Sequence, residues 1–206
     1  NGVSRHRLKR PHGRSLEEGT IHLIAVGRLQ VQKNYELMLE AISFLPASIL
    51  TRLQLMIAGE GDPEYSKSLK KLALELGVSQ HVDFLGNRSD VQDLLLRSDL
   101  FVMSSSTEGL PVSLLEATMS GLPSVVTDVG GCAEIVELCG SGVLVQPGCA
   151  REFAEAIESV LSDPVMHAEF SRQALARSQI FSIEASAVKH RQLYESLLVS
   201  GEGATG

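Results

Sequence analysis

Two short stretches of the chain carry side chains that could act on a phosphorylated ligand. The first is Gly27-Arg28-Leu29-Gln30-Val31-Gln32-Lys33-Asn34, which follows an apolar run and sets an arginine and a lysine five residues apart. A guanidinium is a planar fork matched to phosphate oxygens, and an ammonium adds a mobile point charge. At the carboxyl end of a strand this pair would form a diphosphate clamp. On an ordinary surface it would be two solvated cations. The patterns G-x-x-x-x-G-K-[ST] and strand-linked G-x-G-x-x-G are both absent, so neither standard phosphate loop is present.

The second stretch runs from Ser104 to Glu116, with Glu108, Gly109, Leu110 and Pro111 in its middle. A polar loop enters an apolar helical segment, and Pro111 suits the first helical position. The amides of Leu110, Val112 and Ser113 then fall near a helix start, where unpaired N–H groups and the helix dipole favour negative charge. Glu108 precedes the helix and Glu116 lies within it. An ionised carboxylate accepts two hydrogen bonds, so each could grip a vicinal diol. The same two acids could form a glycosidase pair. A structural alternative has Glu108 facing the helix dipole and Glu116 facing solvent.

Other reactive side chains offer less. The histidines lie in the basic arm, at strand starts or on late helices, without a nearby set of metal ligands. No Ser/His/Asp order is defensible, and G-x-S-x-G is absent. The three cysteines, Cys132, Cys139 and Cys149, are odd in number and form no C-x-x-C pair. They read as free thiols rather than a disulfide framework or zinc site.

These residues need elements to hold them. The spacing predicts strands over Ile21–Val26, Leu53–Ala58, Val82–Leu85, Leu100–Met103, Ser124–Thr127 and Val143–Val145. It predicts helices over Tyr35–Leu45, Glu64–Leu76, Val91–Arg97, Pro111–Ser120, Ala133–Leu138, Glu152–Leu161, Val165–Ser178 and Ile183–Leu198. Asp90 is placed to cap the fourth strand's preceding helix, and Gly77 to end the second helix. Short, nearly all-apolar strands alternating with helices imply a parallel sheet covered on both faces. The expected fold is α/β, a doubly wound Rossmann-like sheet of about six strands with a helical carboxyl-terminal extension. In such sheets ligands sit outside the carboxyl ends of the strands, where both reactive stretches fall.

The chain has 206 residues and a formal charge of −7, with 18 bases and 25 acids. Residues 1–14 hold five of those bases and no acid. The acidic body argues against a nucleic-acid binder that works by phosphate neutralisation. No apolar run approaches the ~18 residues of a membrane span. The division expected is a basic arm over 1–18, a folded domain over 19–199 and a disordered tail over 200–206.

VGRLQVQKN, EGLPVSLLEATMSGLPSVVTDVGG and SGVLVQPG, in that order, resemble segments of the retaining glycosyltransferases called family four or group 1. The resemblance spans about 19–197 and implies the carboxyl-terminal, donor-binding domain of a fold with two Rossmann-like halves. It implies that Arg28 and Lys33 bind the diphosphate of a nucleotide sugar after Gly27. Glu116 would hold the ribose and Glu108 the donor sugar. Backbone around Gly109, Leu110, Val112 and Ser113 would contact phosphate or sugar oxygens, and backbone near Asn87 and Arg88 the base. Catalysis would rest on Arg28, Lys33 and Glu108, with retention at the anomeric carbon and no metal or other cofactor.

A UDP-sugar is the first expected donor, and a glycan or lipid-linked molecule the acceptor. Family enzymes are about twice this length, so an acceptor-binding amino-terminal domain is the expected missing partner. Asn1-Gly2-Val3 resembles the family's interdomain linker, and the isolated chain is expected to lack transfer activity. The whole protein is expected in the cytoplasm or peripherally on the cytoplasmic membrane face. Two competing readings stand beside this one. They are a non-catalytic binding or scaffold module, and a nucleotide-sugar epimerase-like protein.

Overall fold

A computed structural model describes residues 19–181. The basic arm, the helix expected over Ile183–Leu198 and the tail lie outside the described residues. Six strands form one parallel sheet: β1 Ile21–Val26, β2 Leu53–Ala58, β3 Val82–Gly86, β4 Leu100–Met103, β5 Ser124–Thr127 and β6 Gly142–Val145. Their order across the sheet is β3-β2-β1-β4-β5-β6. This is the doubly wound order, in which the chain leaves β1 toward one edge and resumes at β4 toward the other.

The central strands are largely apolar because both of their faces are covered, whereas the edge strand β3 exposes Asp83. Leu23 and Ala25 of β1 pack with one cluster, while Ile24 packs with the other. The first cluster takes in α1 (Tyr35–Phe44), α3 (Pro63–Glu75) and α7 (Ala150–Ser162). The second takes in α4 (Val91–Arg97), α5 (Val112–Met119) and α6 (Cys132–Cys139). Phe153 on α7 and Phe101 on β4 are the largest side chains sealed in these layers. α8 (Pro164–Arg177) closes over α5, α6 and α7.

Three local expectations are corrected. Pro111 is the N-cap of α5 rather than its first residue, with ψ at 94°, so the helix starts at Val112. Asp90 stands at the N-cap position of α4, yet its side chain makes no cap hydrogen bond. Arg88 takes both carboxylate oxygens, at 2.8 and 2.6 Å, because a bidentate charged pair outcompetes a single amide. The helix expected over Tyr35–Leu45 ends at Phe44, and Pro46 then caps a four-residue helix, α2 (Ala47–Leu50), that the apolar spacing did not reveal.

The loops after β1 and β2 continue side by side beyond the strands. Gly27 N–H donates to the Ala58 carbonyl at 3.0 Å, and Leu29 N–H to the Glu60 carbonyl at 3.0 Å. This pairing brings backbone so close that a Cβ on Gly59 would lie 2.0 Å from the Gly27 oxygen, and one on Gly61 1.9 Å from the Leu29 oxygen. Glycine is required at both positions because the obstacle is backbone, which cannot turn aside. Gly61→Ala is therefore expected to destabilise the domain by about 1–3 kcal/mol through overpacking. Urea denaturation of the two proteins checks this, and an unchanged midpoint would refute it.

Candidate functional site

The two reactive stretches leave the sheet on either side of the β1/β4 switch and meet there. A cleft of about 340 Å³ lies between them, lined by Gly27, Arg28, Gln30, Gln32 and Lys33 from one stretch and by Glu108, Leu110, Val112, Ser113 and Glu116 from the other. Its size is at the lower end of the ~300–1,000 Å³ typical of ligand sites. Glycine at 27 serves the crowding beneath it, since a Cβ there would lie 3.2 Å from Lys33 Cε and 3.3 Å from the Tyr35 hydroxyl.

The segment 31–33 is one turn of 3-10 helix, and Asn34 follows in the left-handed region at φ 48°. Asparagine tolerates that conformation better than most residues, and here its side chain also caps α1 by accepting from Leu37 N–H. The turn points Lys33 back across the cleft. Its Nζ donates to Glu108 Oε1 at 2.5 Å, with the two side chains only 17% and 11% exposed. Tyr35 is buried, and its hydroxyl donates to the Gly27 carbonyl at 2.9 Å. Burial, and secondarily the charge of Glu108, raises its pKa, so it serves as a neutral donor.

Arg28 is exposed at the cleft and forms no ion pair among the described residues. Val112 and Ser113 lie in the first turn of α5, and no side chain caps that turn. Their amides have no acceptor among the described residues and border the same cleft. Glu116 is half-buried on the first turns of α5, not turned out to solvent. Its carboxylate has no hydrogen-bond partner among the described residues, and burial raises its pKa above the usual carboxylate range.

The Glu108 loop is held from behind by the turn before α6. Gly131 N–H donates to the Gly109 carbonyl at 2.8 Å. Gly130 sits at φ 54°, where a Cβ would lie 1.9 Å from the Glu108 oxygen. Cys132 follows in the core, and burial pushes its thiol up to about 11, which leaves it an inert packing group.

Nine of the eleven residues predicted for the site thus converge, with Gly109 in the connecting loop. Asn87 and Arg88 do not line the cleft. They follow β3, two strands away from β1, and Arg88 is engaged with Asp90. Gln30 and Gln32 also line the cleft, and the Ser105 hydroxyl lies behind Glu108, without a role that the sequence alone assigns. Glutamine and serine are ordinary loop residues, and only tertiary pairing marks them. Among the described residues no group of three or more His, Cys, Asp or Glu is placed to hold a metal ion. None of their helices is long and apolar enough to cross a membrane.

A doubly wound sheet with a basic and acidic cleft at its switch point defines a nucleotide-type α/β binding domain. The family model for glycosyl transferases group 1 matches residues 9–177, and the chain belongs to that family. It corresponds to the carboxyl-terminal domain of such enzymes. It is 34% identical over 177 residues to the lipopolysaccharide core biosynthesis glycosyltransferase LpsE of Rhizobium meliloti, covering 84% of this chain and 49% of LpsE. It is 30% identical over 201 residues to the D-inositol 3-phosphate glycosyltransferase of Rhodococcus erythropolis, covering 93% of this chain and 45% of that protein.

Among solved structures, Anabaena HepE in complex with UDP superposes with a TM-score of 0.78 at 26% identity, over 88% of this chain and 49% of HepE. The chain spans about half the length of the relatives it matches. These likenesses favour the transferase reading over the scaffold and epimerase-like ones.

The Glu116 environment has a measurable cost. Its folded pKa is raised above the ordinary 4.5, so the folded state binds more protons than the unfolded state just above that pH. Stability from this group is then lost as pH rises through the window that begins near 4.5. Glu116→Gln is expected to melt at or above the wild-type temperature at pH 7, with the gap closing as pH falls toward 4. Thermal melts across that range check the sign, and a variant that melts lower at pH 7 contradicts it.

Proposed function

We propose that this chain is the donor-binding half of a retaining hexosyltransferase and takes a nucleoside-diphosphate sugar in the switch-point cleft. The observation that carries the reading is the meeting of Arg28, Lys33, Glu108 and the uncapped start of α5 on one small cleft. In this reading Arg28 and Lys33 hold the diphosphate, and the amides of Val112 and Ser113 take one of its oxygens. Glu116 receives the ribose hydroxyls, and Glu108 those of the sugar. Backbone of Asn87 and Arg88 meets the base beyond the cleft, past the ends of β2 and β3.

The chemistry is charge stabilisation. As the bond from the anomeric carbon to the diphosphate lengthens, negative charge grows on the leaving oxygens. Two cations and a helix start already in place stabilise that charge without reorganising. Lys33 is paired with Glu108, so the protein itself supplies a contact that positions its ammonium. The UDP in HepE supports a uridine donor. The family implies an acceptor-binding domain beyond this chain, a glycan or lipid-linked acceptor and a cytoplasmic or peripheral membrane setting.

Calorimetry of the chain against UDP, GDP and ADP tests the reading. UDP is expected to bind, and Arg28→Ala and Glu116→Ala are each expected to weaken it about tenfold, or about 1.4 kcal/mol. Wild-type protein that binds none of the three, or variants that bind as it does, would reject the assignment.

A further inference from the structure

Glu108 is held in a lopsided way. Its Oε1 accepts from Lys33 Nζ at 2.5 Å and from Ser105 Oγ at 2.6 Å. Its Oε2 has no hydrogen-bond partner among the described residues. A carboxylate oxygen has about two acceptor sites, so Oε1 is filled and both sites of Oε2 stay open. An acid free to rotate about its last bond would present either oxygen. Two donors on one oxygen fix the plane of the group and choose which oxygen is offered.

Ser105 is suited to this task because it is itself immobilised. It is fully buried. Its carbonyl accepts from Thr127 Oγ1 at 2.6 Å, and Thr127 is a buried residue at the end of β5. The neighbouring Ser104 hydroxyl reaches the carbonyls of Lys33 and Asn34 at 3.1 and 2.8 Å. Ser106 N–H donates to the Gln32 carbonyl at 2.8 Å. Three consecutive serines therefore stitch the lysine loop to the glutamate loop, and the middle one orients the acid.

We infer that Ser105 is a positioning residue that turns the open oxygen of Glu108 toward the hydroxyls of the donor sugar, backed by Thr127. This rests on the proposed donor-binding role of the cleft. Ser105 touches no part of the ligand in this account. Its effect falls chiefly on the sugar, because Arg28, α5 and Glu116 hold the diphosphate and nucleoside without touching Glu108, and Lys33 keeps its own bond to Oε1.

The test compares UDP with UDP-glucose, UDP-galactose and UDP-N-acetylglucosamine by calorimetry on the 206-residue chain. Wild type is expected to bind at least one UDP-sugar more tightly than UDP. Ser105→Ala is expected to weaken that UDP-sugar at least fivefold while changing UDP less than twofold. Thr127→Val keeps the side chain's shape, removes its hydroxyl and is expected to lose about threefold for the same UDP-sugar alone. If Ser105→Ala does not fold, Thr127→Val decides by the same split.

Equal losses for UDP and UDP-sugar would mean general damage to the cleft and overturn the inference. So would unchanged binding of both, or a wild type that binds UDP without preferring any sugar form. Wild type that binds neither UDP nor a UDP-sugar overturns the donor reading itself and this inference with it.

Discussion

The bond between Lys33 and Glu108 joins two loops that lie 75 residues apart in sequence, and the cleft depends on it. Both groups are largely withdrawn from water, so their attraction is only weakly screened. Desolvation works against them at the same time, and a pair of this kind is weak as a source of stability. Its contribution is geometric. Each charge satisfies the other, and removing either would leave an uncompensated charge against the sheet. The protein thereby holds a cation and an anion within one small cavity.

That pair exists because of the sheet's connectivity. From β1 the chain crosses to one face through α1, and from β4 it crosses to the other through α5. The two departing loops part at the β1/β4 boundary and open a crevice there. Backbone crowding then limits which residues can line it. Gly59 and Gly61 let the β2 loop lie against the β1 loop, and Gly130 lets the turn before α6 lie against the Glu108 backbone while Gly131 N–H holds the Gly109 carbonyl. The reactive side chains are few, while the residues that permit their approach are mostly glycine and serine.

The six strands were legible because each is short, mostly apolar and punctuated by glycine or a polar turn. Arg28, Lys33 and Glu108 were legible because they are charged residues in loops that follow strands, and Glu116 because it lies on the helix that the Glu108 loop enters. What escaped was decided by competition or by distance along the chain. Asp90 has the composition and place of a cap, and a guanidinium two residues away took it instead. Pro111 was placed one position too far into its helix, since the end of a helix is set by backbone angles that residue identity only biases. Ser105 carries no local mark of its role, because Glu108, Lys33 and Thr127 meet around it only after β4 and β5 pair.

The three cysteines differ in a way that makes the molecule convenient to instrument. Cys132 and Cys139 are sealed in α6, and burial raises both thiols, so neither offers a thiolate to an alkylating reagent at neutral pH. Cys149 is only half-covered and stands just before α7, at the same end of the sheet as the cleft. A maleimide dye would therefore attach at one place in the native chain without prior cysteine removal. That single attachment point follows β6, on the sheet edge beyond the Glu108 loop. It would give a fluorescence reporter on the ligand-facing side while leaving every cleft residue untouched.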